Sequence, residues 1–285
     1  MTLYEIIEQS ARTALQLQGP NGAMPPGHNG PYHDPETPVR NTAHWLIMWL
    51  KAYNLTGDRD FCSAAERAVG YLTSPDARPM GATFWCRKNP EKDFCNGLVG
   101  QAWVIESLVI AAQVFSREDL ISLAEKVFLL HPYDKRSGGW RTVHVDGSYG
   151  PLDFTFNHQL WFAAAGALVS QVTESQIEPD VLDFLDRLED HLALYGSGII
   201  KHKSVCFLAP TITRKLRNLI GTLRGDQRSA YMKMKSIGYH GFNLYGFALL
   251  YTVYPDQQFW SSSKFMRALH YAQTEDFRDA VVNSK

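Results

Sequence analysis

Four segments of the chain repeat one arrangement of apolar and polar positions, anchored on Trp45, Trp103, Trp161 and Tyr245. The first three anchors are spaced by 58 residues, and the fourth follows after 84. Each anchor sits near the start of an apolar run rich in small residues. A more charged run with apolar positions at i, i+3, i+4 and i+7 comes next. That spacing predicts an amphipathic helix packed behind a buried one. The unit is thus a helical hairpin used four times. A repeat of this length predicts a stacked or ring-shaped helical array in a single domain over residues 1–285.

The breakers between the runs set the order of elements. A first helix is expected over Leu3–Gln18, stopped by Gly19 and Pro20. Inner helices are expected over Val39–Asn54, from Asn96, from Asn157, and over Phe242–Tyr254. Their outer partners are Phe61–Leu72, Glu118–Leu130, Pro179–Tyr195 and Phe259–Gln273. Alternation from Trp140 to Val145 predicts a short hairpin strand. Residues 196–238 break the rhythm, with a strand expected over 196–203 and a basic helical stretch over Ile212–Lys235. Links from inner to outer helix are short, and links from outer to the next inner helix are long. The long loops therefore gather at the N-termini of the inner helices. Loops of that length in a compact domain are usually functional, and helix N-termini favour anions. A cleft is expected there.

Composition narrows the class. Of 285 residues, 45% are hydrophobic and 20% charged, which fits a folded chain with a sizeable core. The net charge of −1 is spread without basic blocks, so no nucleic-acid partner is expected. The first residues lack a basic region followed by a long apolar stretch, so no signal peptide is read. The apolar run Leu98–Phe115 is interrupted by Gln101, Glu106 and Gln113, which favours a buried helix over a membrane span. Cys62, Cys86, Cys95 and Cys206 form no Cys-x-x-Cys pair and are expected as reduced thiols in a cytoplasmic protein. No metal-ligand spacing, phosphate-binding loop, dinucleotide fingerprint or nucleophile elbow is present, so no metal or cofactor is expected. The oligomeric state is not encoded in any pattern here.

Candidate chemistry lies at the predicted mouth. Asp93 and Asp153 open the runs Asp-Phe-Cys-Asn and Asp-Phe-Thr-Phe-Asn before two inner helices. Two carboxylates facing one cleft divide acid and base roles when their environments separate their pKa values. The plainer alternative is helix capping, which Asp and Asn favour. His158 and His240 are candidate assistants, with hydrogen-bonded core histidines as the alternative. His44, Asn96, Asn157, Tyr239 and Asn243 are candidate sugar-binding residues at the same helix starts. Trp85, Arg87 and Trp140 sit in the long loops. Tryptophan faces stack on pyranose rings and Arg grips carboxylates, so a saccharide ligand, and an acidic one, is expected. Packing within the loops is the alternative.

These inner helices with Asn, His or Gln near a Trp, the Gly-Gly-Trp of a mouth loop, and the one-ended long loops together resemble the six-hairpin, or (α/α)-toroid, carbohydrate-active proteins. The chain looks most like unsaturated glucuronyl hydrolases and related toroid proteins of bacterial exopolysaccharide clusters, over about Leu3–Gln273. The resemblance implies an all-α toroid. The sequence supplies about nine or ten helices where six hairpins need twelve, so an incomplete ring is also open. It further implies a glycoside hydrolase-like enzyme acting on a uronic-acid saccharide, with Asp93 or Asp153 as acid/base. A non-catalytic saccharide-binding or assembly protein of exopolysaccharide synthesis, or a sugar epimerase, would also suit it.

Overall fold

The computed structural model describes residues 1–28, 33, 35–204 and 226–283. Side chains of 226–230 are left aside, and Cys206 and residues 212–225 of the basic stretch lie outside the described residues. The chain forms two compact units. One comprises Met1–Pro132, Arg141–Pro151 and Ala165–Glu178; the other comprises Tyr133–Trp140, Leu152–Ala164 and Pro179–Lys285.

In the first unit, α1 (Leu3–Leu15) starts at a capping box, in which the Thr2 hydroxyl accepts from Glu5 N–H and Glu5 accepts from Thr2 N–H. Helices α2 (Val39–Thr56) and α3 (Arg59–Leu72) form the first hairpin. Gly57 ends α2 at φ 71°, a left-handed value that glycine adopts without strain. Asp58 then caps α3 through Asp60 N–H at 2.9 Å. Helices α4 (Gly97–Phe115) and α5 (Glu118–Leu129) form the second hairpin, and α4 also packs against α2. Among the described residues α4 alone is long and apolar enough to cross a membrane. It is buried nearly all round, Gln101 and Glu106 included, as a core helix is.

The loop after α5 carries β1 (Tyr133–Asp134), β2 (Gly139–Val143) and β3 (Tyr149–Leu152), with β2 central. The expected strand is β2. Helix α6 (Phe156–Val172) follows, with residues in both units.

In the second unit the expected outer helix is broken into α7 (Glu178–Asp186) and α8 (Leu188–His191). Arg187 sits between them at φ −99° and ψ 2°, and its guanidinium bonds Asp183 at 3.1 Å. The chain then turns extended at Leu192. Residues 193–201 fold back on themselves through Tyr195 N–H to Ile199 O and Lys201 N–H to Ala193 O. The strand expected over 196–203 is this turn, with isolated bridges Leu194–Ile200 and Thr155–Lys203. Helix α9 (Asp226–Val253) begins sixteen residues ahead of Phe242. At Gly238 and Gly241 of this helix an added Cβ would meet nothing within 4 Å. A 3-10 turn (Gln258–Ser261), α10 (Ser263–Tyr271) and an unforeseen α11 (Glu275–Asn283) complete the unit.

Candidate functional site

One buried side chain recurs in both units. Two residues before its Trp anchor, each of α4 and α6 carries a Gln with 0% exposure, Gln101 and Gln159. The Gln101 carbonyl accepts from Phe84 N–H at 2.7 Å, and its amide donates to Phe84 O and Cys95 O. The Gln159 carbonyl accepts from Trp140 N–H at 2.9 Å, and its amide donates to Trp140 O and Asp153 O. Each clamp bonds backbone groups of a buried segment of mouth loop. Each such bond contributes about 1 kcal/mol net, and more is lost when the partner is left buried and unpaired. The clamp was not among the candidates read from the sequence. Its signal was present, since Gln101 and Gln159 are 58 residues apart like their anchors.

In the second unit the clamp holds Asp153. One Asp153 oxygen accepts from Thr155 N–H at 3.0 Å, turning the chain into α6, and the other meets His158 Nδ1 at 2.7 Å. An ionised carboxylate only accepts, so Nδ1 carries the hydrogen and Nε2 is the ring nitrogen left for chemistry. Among the described residues nothing bonds that Nε2, and the side chain keeps 22% exposure. His202, unnoticed in the sequence, stands beside this pair. Phe156 N–H donates to its carbonyl at 3.0 Å, and its own N–H donates to Ser236 Oγ at 3.2 Å. Burial, then the charges of Lys235 and His158, push its pKa down to about 3, so its ring is neutral at physiological pH. The Tyr239 ring lies 4.9 Å from it and Lys235 Nζ 5.7 Å from Tyr239. Trp161 packs on Phe242 and Tyr245, and Asn157 and Asn243 are buried on the same two helices.

Two expected site residues of this unit are enclosed. Trp140 is 1% exposed among Tyr133, Phe162 and Phe184, where its ring serves the core. His240 is 0% exposed; its Nδ1 accepts from Ile200 N–H and its Nε2 meets Ala268 O, so both nitrogens are spent on backbone.

In the first unit, Asp93 is occupied. It pairs with Arg87, accepts from Gly97 N–H at 2.7 Å at the start of α4, and accepts from the Cys95 thiol. Burial alone would raise its pKa, but the Arg87 charge and these bonds hold it below the usual carboxylate range. Asn96 makes the left-handed entry to α4 at φ 58°. Trp85 lies under Lys88 Nζ at 5.7 Å. A separate group gathers Glu36, Arg40, His44 and Trp103. Glu36 is buried and pairs with Arg40 at 2.9 Å, Arg40 lies over the Trp103 ring, and His44 is 5.2 Å from it. Solvent reaches His44, yet the protein around it and then the Arg40 charge lower its pKa to about 4.

A cavity of about 810 Å³ lies in the second unit between α7–α8 and the Val253–Ser262 turn, and none of these residues lines it. Among the described residues no three His, Cys, Asp or Glu side chains converge as a metal group.

No family model matches the chain. Archaeal glycosylation protein Q of Haloferax volcanii is 43% identical over 295 residues, spanning all of this chain and 80% of that protein. The chain belongs to the family of archaeal glycosylation protein Q. Solved structures add the fold. Cellobiose 2-epimerase from Bacillus thermoamylovorans aligns with TM-score 0.57 at 12% identity, over 94% of this chain and 87% of that one. D-mannose isomerase gives 0.53 at 11%, over 97% and 89%. An inactive variant of the α-1,6-mannanase GH76A of Salegentibacter sp. HEL1_6, in complex with α-1,6-mannotriose, gives 0.52 at 12%, over 95% and 84%. These are six-hairpin glycosidase-like (α/α)-toroid proteins, so this member of the protein Q family has the toroid fold that the resemblance implied.

Proposed function

We propose that the protein is a sugar-modifying enzyme of glycosylation that works by proton transfer, as a sugar epimerase or isomerase does. One observation carries this reading: His158, oriented by Asp153, stands beside the neutral His202 at the start of α6. In this reading His158 Nε2 takes the proton from the carbon next to the sugar's carbonyl. The C–H electron pair moves into the C–C bond, and the carbonyl pair moves onto oxygen. A neutral imidazole suits that developing oxyanion as a hydrogen-bond donor. Return of the proton to the opposite face of the same carbon gives an epimer; its return to the former carbonyl carbon, with the adjacent hydroxyl's proton passing to the first oxygen, gives an isomer. The relative's name places that protein in glycosylation, which supports a saccharide substrate here.

A hydrolase of uronic-acid saccharides, the expectation from the resemblance, has less support. It needs carboxylates free to face the scissile bond, whereas Asp93 is held by Arg87 and the start of α4, and Asp153 by His158 and Thr155. The guanidiniums that would grip a uronate are likewise paired, Arg87 with Asp93 and Arg40 with Glu36. Incubation with glucose, mannose and cellobiose in deuterated water tests the choice by NMR. Deuterium at the carbon beside the carbonyl, without cleavage and absent from His158→Ala, is the expected result. A product heavier by one water, formed without exchange, would return the reading to a hydrolase.

A further inference from the structure

Three polar atoms of the second unit are shut away from solvent with no hydrogen-bond partner among the described residues: Asn157 Oδ1, Asn243 Oδ1 and His202 Nδ1. Their residues are 5%, 1% and 9% exposed. Buried polar groups are nearly always satisfied, so three around one site need a reason. They are neighbours in the fold. Phe156, next to Asn157, donates its N–H to the His202 carbonyl. His202 lies against Tyr239, one helical turn before Asn243. One turn beyond Asn157 comes Trp161, which packs on Phe242 beside Asn243.

Asn243 also has a telling register. It stands two residues before its anchor, where Gln101 and Gln159 clamp their loops. Helix α9 runs unbroken through the stretch where a mouth loop precedes α4 and α6. The amide thus keeps the clamp position, and among the described residues its Oδ1 has no loop group to grip.

We infer that Asn157, Asn243 and His202 form the wall that reads the hydroxyl groups of an uncharged sugar in this site. The inference rests on the sugar reading above and names the face of the substrate. Amide oxygens only accept, and a hydroxyl brings the matching donor. A hydroxyl is also the group that satisfies an imidazole nitrogen in either tautomer, as donor or acceptor. A carboxylate would set its oxygens against the two amide oxygens. Sites built to bond a substrate hydroxyl reject analogues lacking it, because the buried groups stay unpaired.

The test measures binding of glucose, mannose, sodium glucuronate and the monodeoxyfluoro analogues of the two hexoses to the full chain by calorimetry. Fluorine occupies the place of a hydroxyl but donates nothing. At least one fluoro analogue of a bound hexose is expected to bind tenfold or more weakly than its parent. Asn243→Leu and Asn157→Leu are expected to lose that discrimination. Their ligand-free melting temperature is expected to stay level or rise, since replacing an unpaired buried acceptor by an apolar group of similar shape is neutral or better. Fluoro analogues that all bind like their parents overturn the inference, as does glucuronate binding more tightly than glucose. Discrimination that persists in both Leu variants also overturns it. Failure of every sugar to bind the wild type, with no deuterium exchange, sinks the sugar reading itself.

Discussion

The two Gln clamps build the same local structure and deliver different chemistry. In the first unit Gln101 grips the carbonyl of Cys95, a buried thiol whose pKa is raised by burial and by Asp93, which makes it inert. In the second unit Gln159 grips the carbonyl of Asp153, whose side chain orients His158. Cys95 and Asp153 are the same repeat position, eight residues before their anchors. The repeat therefore supplies a loop-to-helix junction, and in the proposed function one residue within it separates scaffold from site. Asp93 belongs to a different position, matching Pro151. The resemblance between the two Asp-Phe runs is a coincidence of spelling, out of register by two.

The sharpest way to break this comparison is to change the gripped residue. Asp153→Asn keeps size and caps Thr155, but its amide donates to Nδ1 and favours the wrong imidazole tautomer. A loss of about 10³-fold in turnover is expected, within the range for disrupted acid–base pairs. Cys95→Ala is expected to leave turnover unchanged. Equal loss in both variants would show that the junction, and not the carboxylate, is what matters.

Removing the clamps sharpens it further. Gln101→Leu and Gln159→Leu each strand a buried backbone N–H and the carbonyl of Cys95 or Asp153, and each is expected to cost about 2–4 kcal/mol in denaturant unfolding. Only Gln159→Leu is expected to move the His158 imidazole resonances in NMR. Movement by both variants would mean that they act through general loosening.

Acid separates the two units by their histidines. His202 is neutral in the fold with its pKa pushed from 6.5 to about 3, so the unfolded chain binds a proton there that the native state does not. Its contribution to stability is whole above pH 6.5 and drains away as pH falls toward 3. His44 has the same sign over 6.5 to about 4, but solvent reaches it and screens the effect. His202→Asn is expected to flatten the stability–pH curve below 6.5 by a few kcal/mol, and His44→Asn by less. A larger flattening from His44 would reverse the assignment of the desolvated site.

Much of the fold was legible because its signals are local and periodic. The anchors, the small-residue inner helices and the Gly57–Asp58 turn all show in one pass along the chain. What stayed hidden depends on contacts between distant residues. Neither the break at Arg187 nor the early start of α9 at Asp226 has a local signal of that kind. Of the proposed site, Asp153, His158, Asn157 and Asn243 are candidates from the sequence by their position near helix starts. His202 was missed because Lys-His-Lys reads as a polar strand, and only folding brings it against Phe156 and Tyr239. Trp140 was taken for a sugar platform because its loop is long, yet that loop folds back on α6 and α7 and buries it.

The smallest expected effect is also the most discriminating between reaction classes. Asp93→Asn keeps the oxygen that accepts from Gly97 N–H, so α4 keeps its start, and it removes only the charge facing Arg87. Asp93 retains 30% side-chain exposure, so water takes up part of the loss, and destabilisation of about 1–2 kcal/mol is expected. The lowered pKa of Asp93 gives the sign: its stabilisation is present above the ordinary carboxylate range and fades as pH falls through it, so the variant and wild type should converge in acid. Turnover should be unchanged, because the Asp93 carboxylate is held by Arg87, by Gly97 N–H and by the Cys95 thiol of its own loop. If turnover collapsed while the melting temperature held, Asp93 would be a reacting carboxylate, and a two-carboxylate hydrolase would displace the histidine mechanism.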